Sequence, residues 1–351
     1  MRLLFAISGD LSLRTGGYGY DRRVLQELPG CGVDVLHLAL QGSFPDPAPD
    51  DVARAVRAIN DNLLPGDVVL ADGLAYGALP EDAIRAINAP IIALCHHPLG
   101  LETGLPPARR RALLDSERMA LALAAHVIVT SVHTSLLLAQ DFDVSAKRIS
   151  VARPGVDRAA RASGSGGPPT LLAVGSIIPR KGFDVLVEAL AGLTDCDWRL
   201  RIAGSPARSP ETATALNRLI EIQGLGGRVE CLGDLSAAAL AAVFDASDIF
   251  VSSSLYEGYG MALAEAMTCG LPIVATTGGA AADTVPDMAG LKVSPGDVVG
   301  LRQALRRMIL DNELRSRLAD ASWRAGQDLP RWHDAALVIA NVARDSAPVS
   351  P

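Results

Sequence analysis

Lysine is nearly missing from this chain. Lys147, Lys181 and Lys292 are its only lysines among 32 basic residues. A lysine beside an arginine, as at Arg180-Lys181, is therefore a pointed choice. Aromatic residues are few, at 4% of 351 residues, although 49% are hydrophobic. Ala, Leu and Val dominate, the composition of buried parallel strands covered by helices. No apolar run approaches the roughly 20 residues that span a bilayer. The opening Arg2–Ser8 run reads as a strand, without the charged region, apolar core and cleavage site of a signal peptide. Cys31, Cys95, Cys196, Cys231 and Cys269 are scattered and form no C-x-x-C pair. Neither a zinc site nor a disulfide framework is indicated, and a reduced cytoplasm is the simplest home. A net charge of −7 speaks against wholesale nucleic-acid binding.

What the chain does have is a rhythm, played twice. Strands are expected at 2–8, 33–39, 67–71, 90–95 and 126–130, with helices near 18–28, 49–63, 76–87, 107–124 and 132–140. The rhythm stops after Arg153-Pro-Gly-Val-Asp157, and 158–169 has the composition of a linker. It restarts with strands at 170–175, 198–203, 228–232, 248–252, 272–276 and 290–293. Helices are expected near 182–192, 209–224, 236–244, 261–269 and from 297 to 326, with a last one from Pro330 to about 346. Such alternation implies βαβ crossovers and parallel sheets. The expectation is an α/β chain of two doubly wound, Rossmann-like domains, 1–157 and 170–329, with a cleft between them. Ligands in such sheets sit beyond the carboxyl ends of the strands.

The most informative loop follows the strand Asp248–Ser252. In Glu257-Gly-Tyr-Gly-Met-Ala-Leu-Ala-Glu265, two acids lie eight residues apart across a glycine-broken turn that enters a helix. A helix start offers unpaired N–H groups and a positive dipole end, which suit a phosphate. Acids flanking an anion site suit a ligand with both phosphates and hydroxyls, and a nucleotide sugar fits. Earlier, Gly175-Ser-Ile-Ile-Pro-Arg180-Lys181-Gly182 sets two cations before a helix, where they oppose its dipole. A diphosphate would relieve that cost, Arg as a fork and Lys as a point charge; a solvated basic pair is the plainer reading.

Other loops are less specific. Gly16, Gly17 and Gly19 follow the first strand but match neither G-x-G-x-x-G nor the P-loop pattern. His96 and His97 stand at a strand end and can bond a sugar hydroxyl or orient an acceptor; one structural and one exposed histidine is the ordinary alternative. No neighbouring ligand spacing suggests a metal. Arg109-Arg110-Arg111 with Arg118 reads as a solvated helix face, or as a peripheral contact with the inner membrane surface.

With these pieces in place, the chain resembles the family 4 retaining glycosyltransferases of the GT-B fold over nearly its whole length. The block Ser254–Ala275 is similar to the family's E-x7-E signature, Arg180-Lys181-Gly182 to its phosphate-clamping pair, and Val151–Asp157 to the segment closing its first domain. Gly16-Gly17 and His97-Pro-Leu-Gly100 are similar to its acceptor-side elements. The paired glycines 278–279 lack the proline that usually follows, and Arg153 stands where many members carry a small polar residue.

The resemblance implies transfer of a sugar from a UDP- or GDP-sugar to a hydroxyl of a glycan, lipid-linked or small-molecule acceptor, with retention, no metal and no other cofactor. It implies Glu257 on the donor sugar, Glu265 on the ribose diol, and Arg180, Lys181 and the Gly258, Tyr259, Gly260 and Met261 amides on the diphosphate. Gly16, Gly17 and Gly175 fall among the donor-binding positions, His97 lies by the reacting centre, and the helix 330–346 returns to the first domain. The rival readings are a nucleotide-sugar epimerase or phosphorylase of the same fold, and a non-catalytic nucleotide-sugar binder. An epimerase would isomerise the donor without an acceptor; a binder would turn nothing over.

Overall fold

The computed structural model describes residues 1–348. The chain divides into two compact units. One is Met1–Gly155 together with the chain from Pro330 onward; the other is Val156–Leu329.

The first unit opens with β1 (Arg2–Ser8), α1 (Gly16–Glu27), β2 (Asp34–Leu40), α2 (Pro49–Asn62) and β3 (Val68–Asp72). It continues with α3 (Gly73–Tyr76), α4 (Glu81–Arg85), β4 (Ile91–Cys95), α5 (Pro107–Leu123), β5 (His126–Val129), α6 (Val132–Asp141) and β6 (Ile149–Val151). The second contains β7 (Thr170–Val174), α7 (Phe183–Ala191), β8 (Arg199–Ala203), α8 (Pro210–Ile222), β9 (Val229–Gly233), α9 (Ala237–Asp245), β10 (Ile249–Ser252) and α10 (Met261–Thr268). After these come β11 (Ile273–Thr276), α11 (Ala281–Thr284), β12 (Gly290–Val293), α12 (Val298–Leu310) and α13 (Asn312–Gln327). The helix α14 (Trp332–Ser346) belongs to the first unit.

Each unit is built on a six-stranded sheet, ordered β2-β1-β3-β4-β5-β6 and β12-β11-β10-β7-β8-β9. The ladders are parallel throughout. Helices cover both faces of such sheets, so the central strands are apolar on both sides. Leu3, Leu4, Phe5, Ala6 and Ile7 are all fully buried, as are Leu171, Leu172 and Ala173. In each sheet the strand order reverses once, between β1 and β3 and between β7 and β10. Loops leaving the two strands at a reversal diverge and open a crevice at their carboxyl ends.

Four expectations need correction. The helix expected at 76–87 is two short pieces. Asp72 caps α3 by accepting from Leu74 N (3.3 Å), and Pro80 at the start of α4 cannot continue a helix. The strand β6 was not anticipated; three residues carry no readable period. The segment 158–169 is held on the second unit instead of linking freely. Asp245 accepts from Ser163 N (3.0 Å), and Asp248 accepts from Ser165 N (3.2 Å) and Thr170 N (2.8 Å). The units divide at Gly155, before residues 156–157, because Val156 packs with Tyr259 and Ala264.

The last helix closes the first unit. Trp332 lies 5.8 Å from the Tyr20 ring and beneath the Arg23 guanidinium, 5.3 Å from its centroid. Among the described residues, no helix is long and apolar enough to cross a membrane. Arg109 pairs with Asp46 and donates to Pro45 O (2.9 Å). Arg118 donates to Asp141 O (2.9 Å) and lies over Phe142. The exposed basic patch on α5 is thereby reduced to Arg110 and Arg111.

Candidate active site

In the second unit, the sheet reversal brings the loops after β7 and β10 together. Pro179–Lys181 forms a single 3-10 turn. Leu255 N donates to Arg180 O (2.8 Å), and Ser253 Oγ donates to Lys181 O (3.0 Å). These bonds stitch the basic turn to the loop carrying Glu257. Within the loop after β7, Gly175 leaves room for the Lys181 side chain: a Cβ there would lie 2.7 Å from Lys181 Cε.

Glu257 sits where both loops converge. Its N–H donates to Gly278 O (3.1 Å), and its own carbonyl accepts from Ala280 N (2.8 Å). The paired glycines thus brace its backbone from both sides. Its carboxylate accepts from Lys181 Nζ (2.6 Å) and Ser254 Oγ (2.6 Å), with Arg180 Nη1 3.5 Å away. Arg180 Nη1 also donates to Tyr256 O (2.7 Å). Glu257 is only 7% exposed. Burial works against its charge, but the Lys181 and Arg180 charges and the Lys181 and Ser254 hydrogen bonds outweigh it. The carboxyl is held below its ordinary value and is anionic at neutral pH.

α10 begins at this same point. Gly260 stands at φ +93°, a left-handed conformation that glycine adopts without strain. In the first turn that follows, Leu263 N donates to Gly260 O (2.9 Å), whereas the Met261 and Ala262 amides come too early to serve an intrahelical carbonyl. One turn further on, Glu265 is pushed up to about 7 by burial and by the Asp157 charge. Near neutrality it exists both as an acid and as a hydrogen-bond-accepting carboxylate.

The first unit carries a separate cluster at the carboxyl ends of β3 and β4. His96 Nε2 is 3.0 Å from Asp21 Oδ1 and 3.7 Å from Asp72 Oδ1. Tyr20 meets the imidazole edge-on at 5.1 Å, and Gly17 lies against the ring. Burial alone would lower the His96 pKa; the Asp21 charge and hydrogen bond and the Asp72 charge turn the shift upward. Asp72 is pushed up to about 7, by burial first and then by the Asp21 charge. The three side chains lie within 4.8 Å of one another, close enough to hold a metal ion. Sequence spacing showed no such cluster, because its members come from three different elements. Asp21 Oδ1 and His96 Nε2 already pair without an ion, while Asp21 Oδ2 is buried with no hydrogen-bond partner among the described residues. His97 stands next to this group with both ring nitrogens shielded from solvent.

Of the residues singled out from sequence, Gly175, Arg180, Lys181, Glu257, Gly258, Tyr259, Gly260, Met261 and Glu265 belong to the second unit, and Gly16, Gly17 and His97 to the first. Sequence reasoning gave no role to Ser254, Gly278–Gly279, Asp157, Asp21 or Asp72. Ser254 did carry a signal, three residues before Glu257 inside the signature block. Asp21 and Asp72 carried none, since their partner His96 lies 75 and 24 residues away.

Two parallel sheets, one with paired cations and a buried acid ahead of a helix start, define a two-unit doubly wound α/β protein. Residues 157–323 match the family model described as glycosyl transferases group 1. The chain carries this match wholly within its second unit. It is 31% identical over 175 residues to a D-inositol 3-phosphate glycosyltransferase of Xylanimonas cellulosilytica, covering 50% of this chain and 42% of that protein. The chain thus aligns with less than half the length of that relative. Sucrose-phosphate synthase from Thermosynechococcus elongatus shares the fold with a TM-score of 0.84 at 22% identity, over 98% of both chains. Anabaena HepE in complex with UDP and glucose shares it with a TM-score of 0.75 at 19% identity, over 98% of this chain and 100% of that one. The fold is GT-B.

Proposed function

We propose that this protein is a retaining glycosyltransferase that moves a hexosyl group from a nucleoside diphosphate sugar, UDP- or GDP-linked, to a hydroxyl of a glycan, lipid-linked or small-molecule acceptor. The observation that carries this reading is the convergence of Arg180, Lys181 and Glu257 at the start of α10. The cations and the first-turn amides take the diphosphate, Glu257 the sugar hydroxyls and Glu265 the ribose diol. Charge that develops on the leaving phosphate is met by groups already in place. This set supplies the stabilisation without a metal, so a chelator should leave transfer unchanged. The complex of HepE with UDP favours UDP among the bases.

Glu257 is engaged by two cations and a hydroxyl, which suits an anchored hydroxyl acceptor better than a free covalent nucleophile. The resemblance to the retaining enzymes favours same-face attack, with the departing phosphate taking the acceptor's proton. For the acceptor side, His96 joins its neighbour His97 as a candidate. His96 has the carboxylate partner that fixes an imidazole's tautomer and orientation, and Asp21 would serve as its positioning residue.

The test is transfer from UDP-glucose and GDP-mannose to a panel of polyol and glycan acceptors. Glu257→Ala should lose transfer by about 100-fold or more, the size of removing a group aimed at transition-state charge. Full activity in that variant would refute the assignment. NMR of the product anomer decides retention.

A further inference from the structure

The cation pair that the donor's diphosphate needs already holds an anion, and that anion is the chain's own. Lys181 Nζ lies 2.6 Å from Glu257 Oε1, Arg180 Nη1 lies 3.5 Å from Oε2, and Ser254 Oγ donates to Oε1 at 2.6 Å. The three charged side chains are between 10% and 16% exposed, so water contributes little to any of them. Ser254 is itself 2% exposed, and its carbonyl accepts from Thr276 Oγ1, which fixes its place.

A diphosphate arriving at Arg180 and Lys181 competes with this carboxylate for the same N–H donors. The two anions also repel each other at short range. Glu257 must give up part of its hold on Lys181, and a buried carboxylate left without a donor is costly. A sugar attached to the diphosphate brings hydroxyl donors that can satisfy the displaced oxygen. A bare nucleoside diphosphate brings none.

We infer that Glu257, parked on Lys181 and Ser254, is a specificity-determining residue that selects sugar-bearing nucleotides over the bare nucleoside diphosphate left after transfer. This rests on the donor reading above and goes beyond it by assigning discrimination between substrate and product. The same carboxylate that holds the sugar before transfer helps expel the diphosphate afterwards.

Calorimetric titration of the full chain with inorganic pyrophosphate, UDP and UDP-glucose tests the inference. Glu257→Gln should bind pyrophosphate and UDP about tenfold tighter than the wild type, the scale of one charge-assisted hydrogen bond. UDP-glucose should bind it no tighter, so preference for the sugar-bearing ligand collapses. A misfolded variant would weaken all three ligands and cannot produce this opposite movement. Ser254→Ala keeps both charges and removes one anchor of the parked carboxylate. It should shift pyrophosphate and UDP in the same direction by about two- to threefold, and it serves if Glu257→Gln does not fold. Unchanged or weaker pyrophosphate and UDP binding in the folded variants, with wild-type binding intact, overturns the inference and leaves the donor site standing. Wild-type failure to bind any of the three ligands removes the donor reading and the inference together.

Discussion

At the scale of single residues, the chain keeps several ionisable groups where burial and charge set them against each other. Lys181 is the first case. Removing it leaves Glu257 buried beside one more distant guanidinium. Lys181→Ala should therefore cost about 3 kcal/mol or more in stability, beyond any loss of donor affinity. Denaturant unfolding would show it, and a variant as stable as the wild type would mean that the pair contributes nothing net. Glu117 is the second case. It lies on α5, 2% exposed, and its carboxyl accepts from Leu99 N at 2.8 Å, tying down the loop that follows His96 and His97. Burial is the main force pushing it up to about 8. An acid raised on folding stabilises the native state most below its unfolded value, near 4.5. That contribution falls as pH rises and is exhausted above about 8. Glu117→Gln should flatten the stability profile between those limits and be the more stable form at pH 9. Glu265 works differently, because its proton touches function. With its carboxyl near 7, nucleotide affinity should rise from pH 6 to pH 8 as the carboxylate becomes available to a ribose diol. The rise should vanish in Glu265→Gln, and titration calorimetry across that range measures both.

At the scale of elements, the strands and long helices were legible and the short pieces were not. A central parallel strand is apolar on both faces, so Leu3–Ile7 and Ile249–Val251 declare themselves with no partner in view. α3, α4 and β6 are too short to carry a period, and tertiary contacts decide them. The cluster around Glu257 in the second unit was legible for a related reason. Glu257 stands four residues before α10 and Glu265 lies inside it, so local spacing shows them together. Arg180 and Lys181 announce themselves by an unusual charge at a helix start. The His96 cluster of the first unit was not legible, because Asp21 on α1, Asp72 at the end of β3 and His96 after β4 meet only in the folded sheet. Ser254 and the brace at Gly278–Gly279 belong with them: both act on Glu257 through contacts that spacing does not reveal. Gly260 gives a test at this scale. Any side chain there is strained at φ +93°, and an added Cβ would meet Leu263 Cδ1 at 2.8 Å. Gly260→Ala should destabilise the second unit by about 1 kcal/mol or more. It should also weaken pyrophosphate binding, since the first turn of α10 would be displaced. Retained binding with lowered stability would separate the helix start from the anion site.

At the scale of the whole molecule, two units repeat one architecture. The second matches the family model along almost all its length, whereas the first is recognised by its fold. The first unit is also assembled from two stretches of chain. Gly155 lies so close to Trp332 that a Cβ would sit 2.1 Å from the Trp332 N. Tyr20 and Arg23 clasp the indole, and Cys31 Sγ lies 3.7 Å from His333 Nδ1. Trp332→Ala should lower the stability of the first unit by about 3–5 kcal/mol, the usual range for truncating a buried Trp. Hydrogen exchange would register the loss in β1 and α1 and leave β7 and β10 unchanged. An unaltered exchange pattern in β1 would show that α14 is a passenger. There is a temporal consequence. A chain emerging from the ribosome exposes Arg2–Val151 long before Trp332–Ser346. A helix made later is thus needed to finish a sheet made earlier, whereas the second unit is one uninterrupted stretch and can mature without waiting for it.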